Sequence, residues 1–177
     1  MTQQDEAPQM IGQGRYLTLQ RRGRWEYVRR HGATAVVCMI AVTPARELVL
    51  VQQYRPALGR DCLELPAGLV GDEDQAEALE TAARRELLEE TGFEAGRWRY
   101  LFDAVSSAGM TDEAPAFFLA GDLRRVAPGG GDDSENITVH LVPLDGLAPW
   151  LEAKAQAGLG VDVKVYAAPW LIDVYQL

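Results

Sequence analysis

The chain has 177 residues and a mass of 19.5 kDa, one domain's worth of sequence. Hydrophobic residues make up 47% and charged residues 24%, which excludes a disordered tail, a collagen-like rod and a coiled coil. A formal net charge of −9 argues against general nucleic-acid binding.

In chain order, residues 1–14 are polar, with one Pro and two Gly, and are expected to fray as a flexible N-terminus. Tyr16-Leu17-Thr18-Leu19 alternates and meets Arg21-Arg22-Gly23-Arg24, a hairpin turn into the strand Trp25-Glu26-Tyr27-Val28. The run from Thr34 to Val42 is apolar and β-branched and reads as a buried strand. Pro44-Ala45-Arg46 then turns the chain into the strand Glu47-Leu48-Val49-Leu50-Val51. A short apolar piece, Cys62-Leu63-Glu64-Leu65, stops at Pro66. From Glu77 to Thr91 the period becomes helical, with an apolar stripe of Ala78, Leu79, Ala82, Ala83 and Leu87 and with Gly92 as cap. Strand signals return at Trp98–Phe102, Ala116–Ala120 and Ile137–Val142, the last two separated by the flexible Gly129-Gly130-Gly131-Asp132-Asp133. The tail from Leu147 reads as one or two helices broken at Gly158–Gly160 and again at Pro169. The expectation is a mixed sheet with few helices.

The longest apolar stretch, Ala35 to Val42, is less than half of the ~20 residues a membrane helix needs, so no membrane partner is expected. No basic, apolar leader opens the sequence, so export is not expected. Cys38 and Cys62 lack CxxC spacing and read as reduced thiols of a cytoplasmic protein.

Charge is unevenly placed. Residues 1–35 carry a net +3 from six arginines and three acids, leaving −12 for the remainder. Between Asp61 and Glu94 lie eleven acids and only two bases, Arg84 and Arg85. Such a run is either a solvated face or a carboxylate cluster held together by a divalent cation. On a helix, Glu86 and Glu90 stack on one face with Glu89 on the adjacent edge. Like charges at that spacing cost a few tenths of a kcal/mol, and clustered carboxylates suit Mg²⁺, with Mn²⁺ as the alternative.

The string Gly71, five residues, Glu77, seven residues, then Arg85-Glu86-Leu87-Leu88-Glu89-Glu90-Thr91-Gly92-Phe93 resembles the signature box of the Nudix hydrolases at every defining position. The resemblance implies an α/β/α sandwich with a mixed central sheet and an N-terminal antiparallel β extension. It divides the chain into a flexible 1–14, a β extension at 15–32 that pairs subunits, and a hydrolase domain at 33–177 with its box at 71–93. Glu86 and Glu90 are then the principal metal ligands and Glu89 a third. The box positions Gly71, Glu77, Arg85 and Gly92 are structural, with an Arg85–Glu77 salt bridge orienting the helix.

Residues from Tyr16 to Leu171 resemble the branch that hydrolyses ADP-ribose and nucleotide sugars. Val51-Gln52-Gln53-Tyr54-Arg55-Pro56, Leu63-Glu64-Leu65-Pro66-Ala67-Gly68 and Gly109-Met110-Thr111-Asp112-Glu113 carry that likeness. It implies that Arg55 contacts phosphate, that Glu64, Gly109 and Met110 lie beside substrate, and that the Ala67 carbonyl completes the metal shell. It further implies that Trp25 stacks a nucleobase with Arg30 nearby, in a homodimer that shares its sites. The general base is expected on the loop before a late strand, as Glu135 or Asp133. The residues by themselves leave Arg55 open to a plain surface role, Glu64 to a solvent-facing one and Trp25 to core packing.

Three departures stand out. Gly68 is followed by Leu69-Val70-Gly71 before the box resumes, a three-residue enlargement or at least a different loop before the helix; Ser107-Ala108-Gly109 lacks the proline associated with ADP-ribose preference; and Pro169 falls in a tail that is usually helical, so that the C-terminal helix is expected to kink or start there. The implied activity is Mg²⁺-dependent cleavage of ADP-ribose or a related nucleoside diphosphate sugar. The alternatives are a preference for a GDP- or UDP-hexose and, in another class, a non-catalytic nucleotide sensor.

Overall fold

The computed structural model describes residues 6–71, 74–131 and 136–176. Among the described residues, three sheets and three α-helices, with a short 3-10 turn at Leu144–Gly146, make up the fold. The first sheet is the antiparallel meander β1 (Gln9–Gln13), β2 (Leu17–Arg22) and β3 (Trp25–Arg30). The hairpin falls where the sequence placed it, but residues 9–13, expected to fray, form a strand against β2.

The second sheet has the order β10 (Thr138–Pro143), β5 (Glu47–Arg55), β6 (Arg60–Glu64), β11 (Gly160–Val161). The third runs β7 (Ala67–Val70), β4 (Ala35–Ala41), β9 (Ala116–Arg125), β8 (Phe93–Asp103). Both are mixed: β4 and β9 pair in parallel, as do β6 and β11, and the other pairs are antiparallel.

Period-two alternation explains why the run at 35–42 is apolar throughout. Cys38, Ile40 and Val42 face one core, while Val37, Met39 and Ala41 face another. Leu48 and Leu50 part from Val49 in the same way, and Phe117 and Leu119 from Phe118. One core is closed by α2 (Leu147–Gln156) and α3 (Val163–Tyr175) through Leu151, Val165 and Leu171. The other is closed by α1 (Leu79–Thr91) through Ala82, Ala83 and Leu87. Strands buried on both faces between helices give the α/β/α sandwich. No helix among the described residues is long and apolar enough to cross a membrane.

Two local expectations are corrected. The tail does break at Gly158–Gly160, but α3 does not start at Pro169: it begins at Val163, where Asp162 caps it by accepting the Lys164 N–H, and continues past Pro169. An interior proline costs about 3 kcal/mol or more. Burial of Val165, Ala168, Leu171 and Ile172, together with the cap, outweighs that cost. The altered stretch before the box is no loop either. Gly68-Leu69-Val70 continues as β7 beside β4, and the strand ends at Gly71, whose φ is 75°.

Candidate functional site

Helix α1 presents its acidic face to a cavity of about 540 Å³. Gly92, at φ 75°, ends the helix in the left-handed conformation and returns its N–H to the Leu88 carbonyl. Arg85 organises the face. Its Nε and Nη2 donate to Glu77 Oε1 and Oε2 at 3.1 and 3.2 Å, and Nη2 also donates to the Leu69 carbonyl at 3.0 Å. Its Nη1 reaches Glu86 at 2.8 Å and Glu89 at 3.2 Å. The guanidinium thereby ties the loop before the helix, strand β7 and the carboxylate face into one unit. Hydrogen bonds from Arg85 hold the Glu77 carboxyl below the ordinary carboxylate range, and the same bonds push Arg85 further up.

The carboxylates are placed by backbone. Glu90 is 3% exposed and accepts the Ala67 N–H at 3.1 Å. Glu86 lies flat against β7 because residue 68 has no side chain: an ideal Cβ there would sit 1.9 Å from the Glu86 carboxyl carbon. Across the cavity Arg55 and Glu64 form a bidentate pair at 2.6 and 2.7 Å. Glu64 is 9% exposed, so the solvent-facing reading of this residue is replaced by a buried one. Alternation in β5 puts Gln53 on the same cavity wall as Arg55.

The N-terminal extension supplies the rim. Strand β3 docks on the loop after β8 through Val28 N–H to the Met110 carbonyl at 2.8 Å and Trp25 Nε1 to the Gly109 carbonyl at 3.3 Å. The ion pairs Arg29–Asp112 at 2.9 Å and Arg30–Glu113 at 2.8 Å continue the seam. Arg30 and Glu113 line the carboxylate cavity, whereas Trp25, Gly109 and Met110 stand outside it. Trp25 is 55% exposed, so it is no core residue. Lys164, on α3, also reaches the cavity, held by Asp162 at 2.5 Å. No signal in the sequence marked Lys164, because nothing local says that α3 begins beside β6. Glu113 stood inside a quoted motif without a role, and Gln53 could have been found from its spacing to Arg55.

Cys38 lines the cavity too, but burial pushes its thiol well up, which removes it as a nucleophile. Glu135 and Asp133, the general-base candidates, lie outside the described residues.

Hard carboxylate oxygens on one helical face beside the Ala67–Gly68 backbone suit a divalent cation. The space left free by the missing Gly68 side chain lets Glu86 lie against that strand, to which Glu90 is bound through the Ala67 N–H. Among the described residues no three His, Cys, Asp or Glu side chains stand together as a ready ligand set. The donor chemistry fits a hard cation.

Fold and box together define a class, and comparison with known proteins agrees. A family model described as NUDIX domain matches residues 32–160. The chain belongs to the NUDIX family. It is 35% identical over 120 residues to an ADP-ribose pyrophosphatase of Mycobacterium tuberculosis, covering 67% of this chain and 56% of the relative. It is 36% identical over 132 residues to a GDP-mannose pyrophosphatase of Citrobacter koseri, covering 70% of this chain and 65% of the relative. A methanol dehydrogenase activator of Bacillus methanolicus is 33% identical over 130 residues, covering 73% and 67%. The chain thus spans roughly three fifths of the curated relatives' lengths. A crystal structure of an ADP compounds hydrolase shares the fold, with a TM-score of 0.71 at 21% identity over 96% of this chain and 91% of that one.

Proposed function

We propose that the protein is a Mg²⁺-dependent pyrophosphohydrolase of ADP-ribose or a related nucleoside diphosphate sugar, releasing a nucleoside monophosphate and a sugar phosphate. The observation that carries this reading is the convergence of Glu86, Glu89 and Glu90 with Arg55 and Glu64 on one cavity. A diphosphate entering that cavity meets Arg55 and Arg30, whose planar forks match phosphate oxygens. Glu64 and Glu113 hold those two guanidinium groups in place until the anion arrives. Glu86, Glu90 and the exposed Glu89, with the Ala67 carbonyl, would hold the cation. When bound, the cation neutralises phosphate charge and lowers the pKa of a coordinated water. Arg85 keeps the carboxylate face in register, and Glu135 or Asp133 would serve as the general base that accepts a proton from the attacking water. Charge stabilisation and positioning supply most of the acceleration in phosphoryl transfer, and this cavity provides both.

The nucleoside end belongs at the rim, where Trp25 offers an exposed face beside Gly109 and Met110. A homodimer is part of the reading: Met10, Ile11, Leu17 and Leu19 of the N-terminal sheet are exposed apolar residues that a second subunit would cover. So is a cytoplasmic setting, in keeping with two unpaired thiols. The second reading, a GDP- or UDP-hexose substrate, is favoured by Ser107-Ala108-Gly109 and by the GDP-mannose pyrophosphatase likeness. A non-catalytic nucleotide sensor would have no use for the carboxylate face.

Release of phosphomonoester from ADP-ribose, GDP-mannose and UDP-hexoses, with and without Mg²⁺, tests the assignment. ADP-ribose turnover that falls by orders of magnitude in Glu90→Gln, with the fold retained, is the expected result. Turnover confined to non-adenine sugars transfers the assignment to the second reading, and unchanged turnover in the variant refutes the ligand role.

A further inference from the structure

Helix α1 ends with its charges at the unfavourable pole. Its last turn holds Glu89 and Glu90 and no basic residue, where backbone carbonyls already leave partial negative charge. The last four carbonyls of a helix lack intrahelical partners. Leu88 uses the N–H of Gly92 at 2.8 Å. The next two are met by the segment after β9: Gly130 N–H donates to the Glu90 carbonyl at 2.8 Å and Gly131 N–H to the Glu89 carbonyl at 3.1 Å. Val126 and Ala127 add N–H bonds to the Gly92 carbonyl at 2.8 and 3.1 Å. Only glycine permits this approach, since a Cβ on residue 129 would lie 2.4 Å from the Thr91 carbonyl carbon. Residues 129, 130 and 131 take φ values of 71°, 118° and 79°.

We infer that the Gly129-Gly130-Gly131 strap is a positioning element for the cation-binding carboxylates. It supplies two amide dipoles to the helix end that carries Glu89 and Glu90, and so fixes the last turn from which both side chains leave. The inference rests on the proposed reading of α1 as the cation-holding helix. A cation on the carboxylates and the strap on the carbonyls order the same turn, so each strengthens the other by one common factor.

Gly130→Ala is the discriminating variant. A φ of 118° lies beyond the left-handed well open to alanine, so the peptide must rotate and withdraw its N–H. Space is not the obstacle, because the nearest atom to the added Cβ is the Ile137 carbonyl oxygen at 3.9 Å. Gly158→Ala is the matched control: its φ is 94°, nothing lies within 4 Å, and it sits in the turn after α2. Mn²⁺ binding, read by electron paramagnetic resonance without substrate, should weaken about tenfold in Gly130→Ala and stay at the wild-type value in Gly158→Ala. In the unaltered protein the amides of Gly130 and Gly131 should resist hydrogen exchange, with protection rising about tenfold when Mg²⁺ is added. Wild-type Mn²⁺ affinity in Gly130→Ala overturns the strap, and loss of binding in Glu90→Gln in the same series leaves the carboxylate reading intact. Exchange of both amides at unprotected loop rates with Mg²⁺ present also overturns the strap, whether or not the variant folds. A wild-type protein that binds no Mn²⁺ removes both readings together.

Discussion

Replacing Gly68 by alanine separates catalysis from stability at one atom. The added Cβ would lie 1.9 Å from the Glu86 carboxyl carbon and 2.2 and 2.3 Å from its oxygens. Non-bonded carbons rest about 3.5–4.0 Å apart, so the carboxylate must retreat by roughly 1.5–2 Å. That retreat is cheap for the fold, because the yielding atoms are the end of a flexible side chain. Residue 68 also sits in regular pairing with Val37, where alanine is favoured over glycine by about 0.5–1 kcal/mol. For the chemistry the same movement is severe. Misplacement of a reacting constellation by about 1 Å can cost ~10²-fold, equivalent to ~2.7 kcal/mol of barrier. On the proposed reading, Gly68→Ala should therefore melt within a few degrees of the parent protein while kcat on the proposed nucleoside diphosphate sugar substrate falls at least ~100-fold. Calorimetry and a phosphomonoester-release assay on the same preparation read both quantities. Activity within a factor of three of the parent would show that Glu86 need not occupy that place, and the reasoning would fail.

Among the described residues, Arg85→Ala leaves Glu77 the Gly71 N–H at 3.4 Å as its remaining hydrogen-bond donor, and it should cost ~3 kcal/mol, a melting decrease of roughly 6–12 °C. Arg85→Lys keeps the charge without the fork and should recover only part of it; an Arg85→Ala melting point within ~2 °C of the parent refutes this. Because Arg85 holds Glu77 below its ordinary value of 4.5, the pair's stabilisation is full above that pH and drains as pH falls through the lower folded value. The melting difference between the parent and Glu77→Gln should stay level in neutral buffers and shrink in strong acid, and a gap that widens toward acid contradicts the assignment. Burial raises Cys62 to about 11 and lifts Cys38 as well. A disulfide reagent at about pH 8 should titrate both thiols in denaturant and neither promptly in the native protein; rapid native labelling would count against the buried placement.

Local pattern alone settled a good part of this molecule. The doubly apolar run at 35–42, the helical stripe ending in Gly92, and the hairpin around Gly23 are short-range features whose physics lies within a dozen residues. The same holds for the spacing that stacks Glu86 on Glu90, whereas the Arg85–Glu77 pair is implied by the family resemblance and forms across the loop before α1. Tertiary structure decided the rest. Strand β1 exists because β2 offers an edge, and α3 passes through Pro169 because its buried face has a core to fill. Glu64 is buried because Arg55, nine residues away, folds back across an antiparallel pair to meet it. Lys164 reaches the carboxylate cavity only through the packing of α3 beside β6, and Trp25 leaves the core for the rim only because β3 docks on the loop carrying Gly109. Periodicity and capping are properties of neighbours along the chain, whereas the company a side chain keeps across 80 or more residues depends on how layers close over one another.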